Sequence, residues 1–143
     1  MLNQSADYAL RAVLYVAQNG ERRACSADVI ATALGVPRNY LGKVLNALTH
    51  ADVLNAVRGP RGGFRLARPA EQVTLASVVE PFQRLPARRV CLLGDRPCDA
   101  ATPCSAHRLW QQMTEPVTDF FRDTTVARML TPTIPRTNGV HHE

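Results

Sequence analysis

Apolar residues recur at helical spacing through most of the first fifty positions. Ala6, Ala9, Leu10, Val13, Leu14 and Ala17 share one face of a 3.6-residue repeat, which predicts a first helix capped by Ser5 and running to about Gln18. Asn19-Gly20 ends it. Ser26 then caps a second, shorter helix, with Asp28 in the first turn where the helix dipole favours a negative charge and Gly35 as a left-handed exit. Pro37 suits the first turn of a third helix, in which Leu41, Val44, Leu45 and Leu48 repeat at i, i+3, i+4 and i+7. Two short helices joined by the tight Gly35-Val36 turn make a helix-turn-helix, whose second helix normally enters the major groove of DNA. Opposite the leucine stripe lie Arg38, Asn39, Gly42, Lys43 and Asn46, cationic and amide groups suited to phosphates and base edges. Gly42 costs about 1 kcal/mol against alanine in a helix interior, so something is expected to approach it closely.

The period then changes. Val53 to Val57 and Phe64 to Ala67 have the β-branched and aromatic content of strands, and Arg58-Gly59-Pro60-Arg61-Gly62-Gly63 lies between them. A hairpin with two arginines at its tip, placed directly after a helix-turn-helix, is better read as the wing of a winged helix than as a plain exposed turn. Its glycines leave the backbone bare, and Arg58 and Arg61 can project into a minor groove. Pro69 to Gln72 connects to a helix capped by Thr74 and containing Leu75, Val78, Val79 and Phe82. From Leu85 to Cys104 periodicity disappears in a loop of about twenty residues, a length that in a compact domain usually has a functional reason or marks disorder.

Ser105 is placed to cap the next helix. Leu109, Trp110, Met113, Val117, Phe120 and Phe121 make its apolar stripe too broad for a peripheral helix, and a symmetric partner burying the same face would explain it. Pro116 is expected to kink or split this helix. A short segment, Val126 to Leu130, precedes the tail. The predicted fold is mainly α with a small β-hairpin. Residues 1–84 form a winged helix-turn-helix domain with a connecting helix, 85–104 a cysteine-bearing loop, 105–130 a dimerisation helix region and 131–143 a flexible tail.

Charge sharpens this picture. The chain of 143 residues carries a net charge of +5, and all the excess lies in residues 1–68, which hold nine Lys or Arg against four Asp or Glu. A one-sided basic surface fits double-stranded DNA, although a merely solvated face has a similar look. The longest apolar run, Ala12 to Ala17, is far too short to span a bilayer, and no basic-then-apolar leader precedes it. A cytoplasmic protein with no membrane partner is expected. No nucleophile motif, phosphate loop or recognisable carboxylate pair points to an enzyme.

In a reducing compartment, closely spaced cysteines are more often metal ligands or redox centres than structural disulfides. Cys91, Cys98 and Cys104 are separated by six and five residues, and His107 follows three positions later. Three soft donors with one place left for a harder one is the inventory of an iron-sulfur or zinc site. Structural zinc usually takes pairs two to four residues apart, so the wider gaps favour a larger inorganic cluster. Cys25 lies apart from this group and is expected to be a bystander. A regulatory disulfide between two of the three loop cysteines, with no cluster, is the rival reading.

Ala6-Asp7-Tyr8-Ala9-Leu10-Arg11, the run Val57-Arg58-Gly59-Pro60-Arg61-Gly62-Gly63-Phe64, Val73-Thr74-Leu75 and the three spaced cysteines together resemble the IscR- and NsrR-like winged-helix transcription regulators, the Rrf-two family, over nearly the whole chain. The resemblance implies a homodimer on a palindromic operator, with an iron-sulfur cluster in each loop near the partner's first helix. Cluster state would then set promoter choice in response to redox state, nitric oxide or iron supply. Cys104-Ser105-Ala106-His107 followed by Leu109-Trp110 looks like the arrangement in which a histidine completes a 2Fe-2S site. Asp7 falls where other members use a carboxylate of the second subunit for a 4Fe-4S cluster. The six-residue first gap is one longer than in the best-known relatives. Arg38, Asn39, Tyr40 and Lys43 are the expected major-groove residues, and Arg58 and Arg61 those of the wing.

Overall fold

A computed structural model describes residues 2–85, 91–93 and 99–130. Its elements run α1 (Gln4–Asn19), α2 (Ala27–Leu34), α3 (Arg38–His50), β1 (Leu54–Val57), β2 (Gly63–Leu66), a single 3-10 turn (Ala70–Gln72), α4 (Leu75–Val79), α5 (His107–Asp123) and α6 (Val126–Leu130). Among the described residues no helix is long and apolar enough to cross a membrane.

α1 is the axle of the fold. Its buried face is Ala6, Ala9, Ala12, Val13, Val16 and Ala17, side chains small enough for α3, α4 and α6 to approach its backbone from several directions. The helix is capped by Asn3, whose Oδ1 accepts from the Ala6 N–H at 2.8 Å, and not by Ser5. The Ser5 hydroxyl instead hydrogen-bonds the Tyr40 hydroxyl at 2.5 Å, a contact across 35 residues that no local pattern encodes.

The helix-turn-helix follows the expected chemistry. Ser26 caps α2 through Val29 N–H at 3.2 Å. Gly35 closes it with φ 66° and ψ 37°, and Val36 N–H returns to Ala31 O at 3.0 Å, as a left-handed C-terminal turn requires. Pro37 lies just before α3 as its cap and not inside its first turn. Leu41, Leu45 and Leu48 are fully buried and Val44 nearly so. Each such leucine stabilises the fold by about 1.5–3 kcal/mol through area removed from water.

β1 and β2 pair antiparallel in the register Leu54 with Leu66 and Val57 with Gly63. The chain before α2 joins this hairpin as a one-residue third strand: Cys25 N–H donates to Phe64 O at 3.0 Å and Phe64 N–H to Cys25 O at 2.8 Å. α4, capped by Thr74, stops at Val79, and Phe82 lies beyond its end.

α5 is one uninterrupted helix through Pro116, neither split nor ended there, and it begins at His107 with no side-chain cap from Ser105. Proline removes the N–H that would serve the Gln112 carbonyl and crowds that carbonyl with its ring, but both residues are exposed, so the carbonyl can turn to water. The predicted apolar stripe of α5 divides. Phe121 is buried in the core with Thr114 and Thr118, while Leu109, Met113 and Phe120 are 62%, 69% and 52% exposed. α6 returns to α1, tied by a bridge between Thr74 and Thr125 and by Val126 N–H donating to Val73 O at 2.8 Å. The expected flexible tail, 131–143, lies outside the described residues.

Candidate nucleic-acid interface and cysteine site

α3 presents its polar face beside the hairpin. Arg38, Asn39, Gly42, Lys43 and Asn46 meet Phe64 of β2 around a hollow of about 410 Å³. Arg38, Asn39, Lys43 and Asn46 are exposed, as are Arg58 and Arg61 at the hairpin tip. Six cationic or amide groups on two adjoining projections form a surface suited to a polyanion. Its geometry is set by the buried leucines behind α3 and by the Cys25–Phe64 bridge behind the hairpin.

Two side chains of this helix have partners within the chain. Tyr40 turns toward α1, where its ring meets Tyr8 edge-on at 5.5 Å between centroids and its hydroxyl is engaged by Ser5. Arg38 is not a loose cation: its Nε donates to Asp28 Oδ1 at 2.8 Å. A Cβ on Gly42 would stand 2.9 Å from Arg38 Nη1, so the close approach at that glycine comes from within the chain. Asp28 has no sequence signal beyond its place in a first helical turn. Its partner is ten residues away on the next helix.

The cysteine segment is described in part. Cys91 is 6% exposed, Cys104 is half-buried, and Cys98 lies outside the described residues. His107 is held beside Cys104, its backbone N–H donating to the Cys104 carbonyl at 3.1 Å. His107 Nδ1 is buried and has no hydrogen-bond partner. A buried ring nitrogen without a partner is costly and requires an explanation, and a metal is one that suits imidazole. Among the described residues no three His, Cys, Asp or Glu side chains converge closely enough to hold a metal ion. Thiolate sulfurs and a neutral imidazole nitrogen are nonetheless the donor chemistry that iron-sulfur clusters take.

Asp7 lies in the first turn of α1, half-exposed, 3.7 Å from Arg11 Nη1. Arg11 in turn reaches Leu34 O at 3.1 Å and sits over the Tyr8 ring. Cys25 is buried behind the hairpin, away from the loop, and burial raises its thiol pKa above the ordinary value.

A helix-turn-helix followed by an arginine-tipped hairpin defines a winged-helix DNA-binding protein. The chain belongs to the Rrf2 family, described as iron-dependent transcriptional regulators, which it matches over residues 2–132. An HTH-type transcriptional regulator of Aquifex aeolicus is 33% identical over 132 residues, 91% of each chain. Among solved structures, CymR, the global cysteine regulator of B. subtilis, superposes with a TM-score of 0.77 at 19% identity, covering 90% of this chain and 95% of its own. T. potens IscR does so with 0.73 at 21%, covering 91% and 85%. The protein is therefore a DNA-binding transcription regulator and not an enzyme.

Proposed function

We propose that this regulator senses redox state, nitric oxide or iron supply through an iron-sulfur cluster held by Cys91, Cys98 and Cys104. His107, or Asp7 of a second copy, is the fourth ligand. The buried, unpartnered Nδ1 of His107 next to Cys104 carries this reading and favours the histidine. A bound cluster supplies a redox-active, acid-labile group at the base of α5. The chain's own part is to hold that group with deprotonated thiolates and to couple the loop to the helix that starts at His107.

The exposed Leu109, Met113 and Phe120 lie on one side of α5 while Phe121 and the two threonines face the core. Apolar surface of this kind on a helix marks a partner site, and a second copy offering the same face fits the two-fold symmetry of a palindromic operator. Arg38, Asn39 and Lys43 contact the major groove in this reading, and Arg58 and Arg61 the adjacent backbone or minor groove. Tyr40 supports α3 from behind.

Regulation needs a difference in DNA affinity between the cluster-bound and cluster-free dimer, since only differential binding transmits a signal. Protein purified without oxygen, analysed for iron, sulfide and visible absorbance beside His107→Ala and Asp7→Ala, tests the assignment. An altered spectrum in His107→Ala alone supports it. An altered spectrum in Asp7→Ala alone moves the fourth ligand to the second copy, and metal-free protein with a reversible disulfide replaces the cluster by thiol chemistry.

A further inference from the structure

We propose that Asp28 is a positioning residue for sequence reading: it holds the Arg38 guanidinium along the bare backbone of Gly42, so that its outer edge reads one guanine in each operator half-site. The inference rests on α3 being the helix that enters the major groove.

Arg38 is the first residue of α3 and Asp28 lies in the first turn of α2, so their 2.8 Å contact bridges the two helices at the corner of the motif. The carboxylate takes Nε. Nη1 lies where a Cβ on residue 42 would stand 2.9 Å away, so the guanidinium follows its own helix for one turn, over the position that has no side chain. The planar fork is thereby fixed by the Asp28 carboxylate, on a course that only a residue without a side chain at position 42 leaves open. Arg38 remains about half exposed, at 51% of its side chain, and shares the hollow with Asn39, Lys43 and Asn46.

Stability does not explain this arrangement, because ion pairs this exposed contribute little and glycine disfavours the helix. Attraction to phosphate does not explain it either, since an acidic group on the DNA-facing surface repels the backbone. Orientation does. Guanine presents O6 and N7 as paired acceptors in the major groove, and a guanidinium whose Nε is already occupied still offers its Nη1 and Nη2 edge to them. An unrestrained arginine at the same position would reach a phosphate as readily as a base.

The test begins with selection of binding sites from a randomised duplex library by the unaltered protein purified without oxygen. Each base pair of the selected half-site is then replaced singly, and affinities are measured for the parent, Arg38→Ala, Asp28→Ala, Asp28→Asn and Gly42→Ala. Arg38→Ala is expected to lose about 5- to 150-fold discrimination at one G·C pair, the range for a bidentate contact. Asp28→Ala should lose discrimination at that same pair while binding random duplex more tightly, with a salt dependence steeper by about one phosphate contact. Asp28→Asn, whose amide oxygen still accepts from Nε, should keep most of it. Gly42→Ala should alter preference at that pair alone.

An Arg38→Ala protein weakened equally on all sequences would assign Arg38 to a phosphate and overturn the inference. So would an Asp28→Ala protein with the parent's preferences. If the parent selects no sequence, the reading of α3 itself fails and takes the inference with it.

Discussion

Gly63 is where the wing is fastened to the body, and Gly63→Ala should release it. The residue has φ 154°, and a Cβ there would stand 2.3 Å from the Cys25 carbonyl oxygen, 2.4 Å from its carbonyl carbon and 2.7 Å from Ser26 N. All three are backbone atoms, so no rotamer change relieves the overlap. The bridge between Cys25 and Phe64, with hydrogen bonds of 3.0 and 2.8 Å, must open. Two backbone hydrogen bonds contribute a net of about 1 kcal/mol each, and the positive φ adds about 1 kcal/mol for a residue with a side chain. The loss is about 3 kcal/mol, which for a chain of this length lowers the thermal midpoint by about 9 °C. Thermal melts followed by circular dichroism at fixed protein concentration measure it directly, with concentration held because self-association shifts the midpoint. Gly42→Ala is the internal control: its Cβ meets only the end of the Arg38 side chain, and alanine in a helix interior gains about 1 kcal/mol, so it should melt at or above the parent. A Gly63→Ala protein melting within about 2 °C of the parent would refute the argument that this bridge anchors the wing.

The remaining predictions concern the two working faces and the buried thiol. Met113→Asp combined with Phe120→Asp should convert a dimer to monomer in sedimentation without unfolding it, because both side chains are more than half exposed in the single chain; an unchanged sedimentation coefficient places the interface elsewhere. Arg58→Ala and Arg61→Ala should each weaken binding similarly on all sequences and reduce the slope of log affinity against log salt by about one, as loss of a phosphate contact does. Titration of affinity against salt reads this, and a sequence-selective loss with an unchanged slope would make them base readers. Cys25, buried and with its thiol pKa raised by desolvation, should react with iodoacetamide far more slowly than a free thiol at pH 8 and reach the ordinary rate in denaturant. Rapid labelling in the folded protein would contradict its placement behind the wing.

Where a signal was local, the sequence carried it. Ser26 and Gly35 bound α2 because a hydroxyl acceptor and a left-handed exit are chemistries of single residues. The leucine stripe of α3 is legible from its period, and the two strands around the arginine-tipped turn from their β-branched and aromatic content. Ser5 does not cap α1 because its hydroxyl has a long-range partner in Tyr40, and a hydroxyl two residues from a competing cap, Asn3, gives no hint of which will serve. A kink or split of α5 is expected at Pro116, and the helix runs through Pro116 unsplit. The proline's exposure on the outer face makes the missing hydrogen bond cheap, and only the packed structure reveals that exposure. Gly42 was recognised as a place of close approach, but the approaching group is Arg38, fixed by an aspartate on the preceding helix. The cysteine site divides similarly: spacing suggested soft ligands, whereas the orphaned ring nitrogen of His107 is visible only once burial is known.

The most direct test of the account is a paired measurement on one oxygen-free preparation: iron and acid-labile sulfide per chain, and affinity for a selected operator before and after the cluster is removed by chelation or nitric oxide. The account predicts visible absorbance with bound iron and sulfide, both lost in Cys91→Ser and Cys104→Ser, and a change in operator affinity when the cluster goes. Colourless, metal-free protein that binds the operator equally well under every treatment would contradict it.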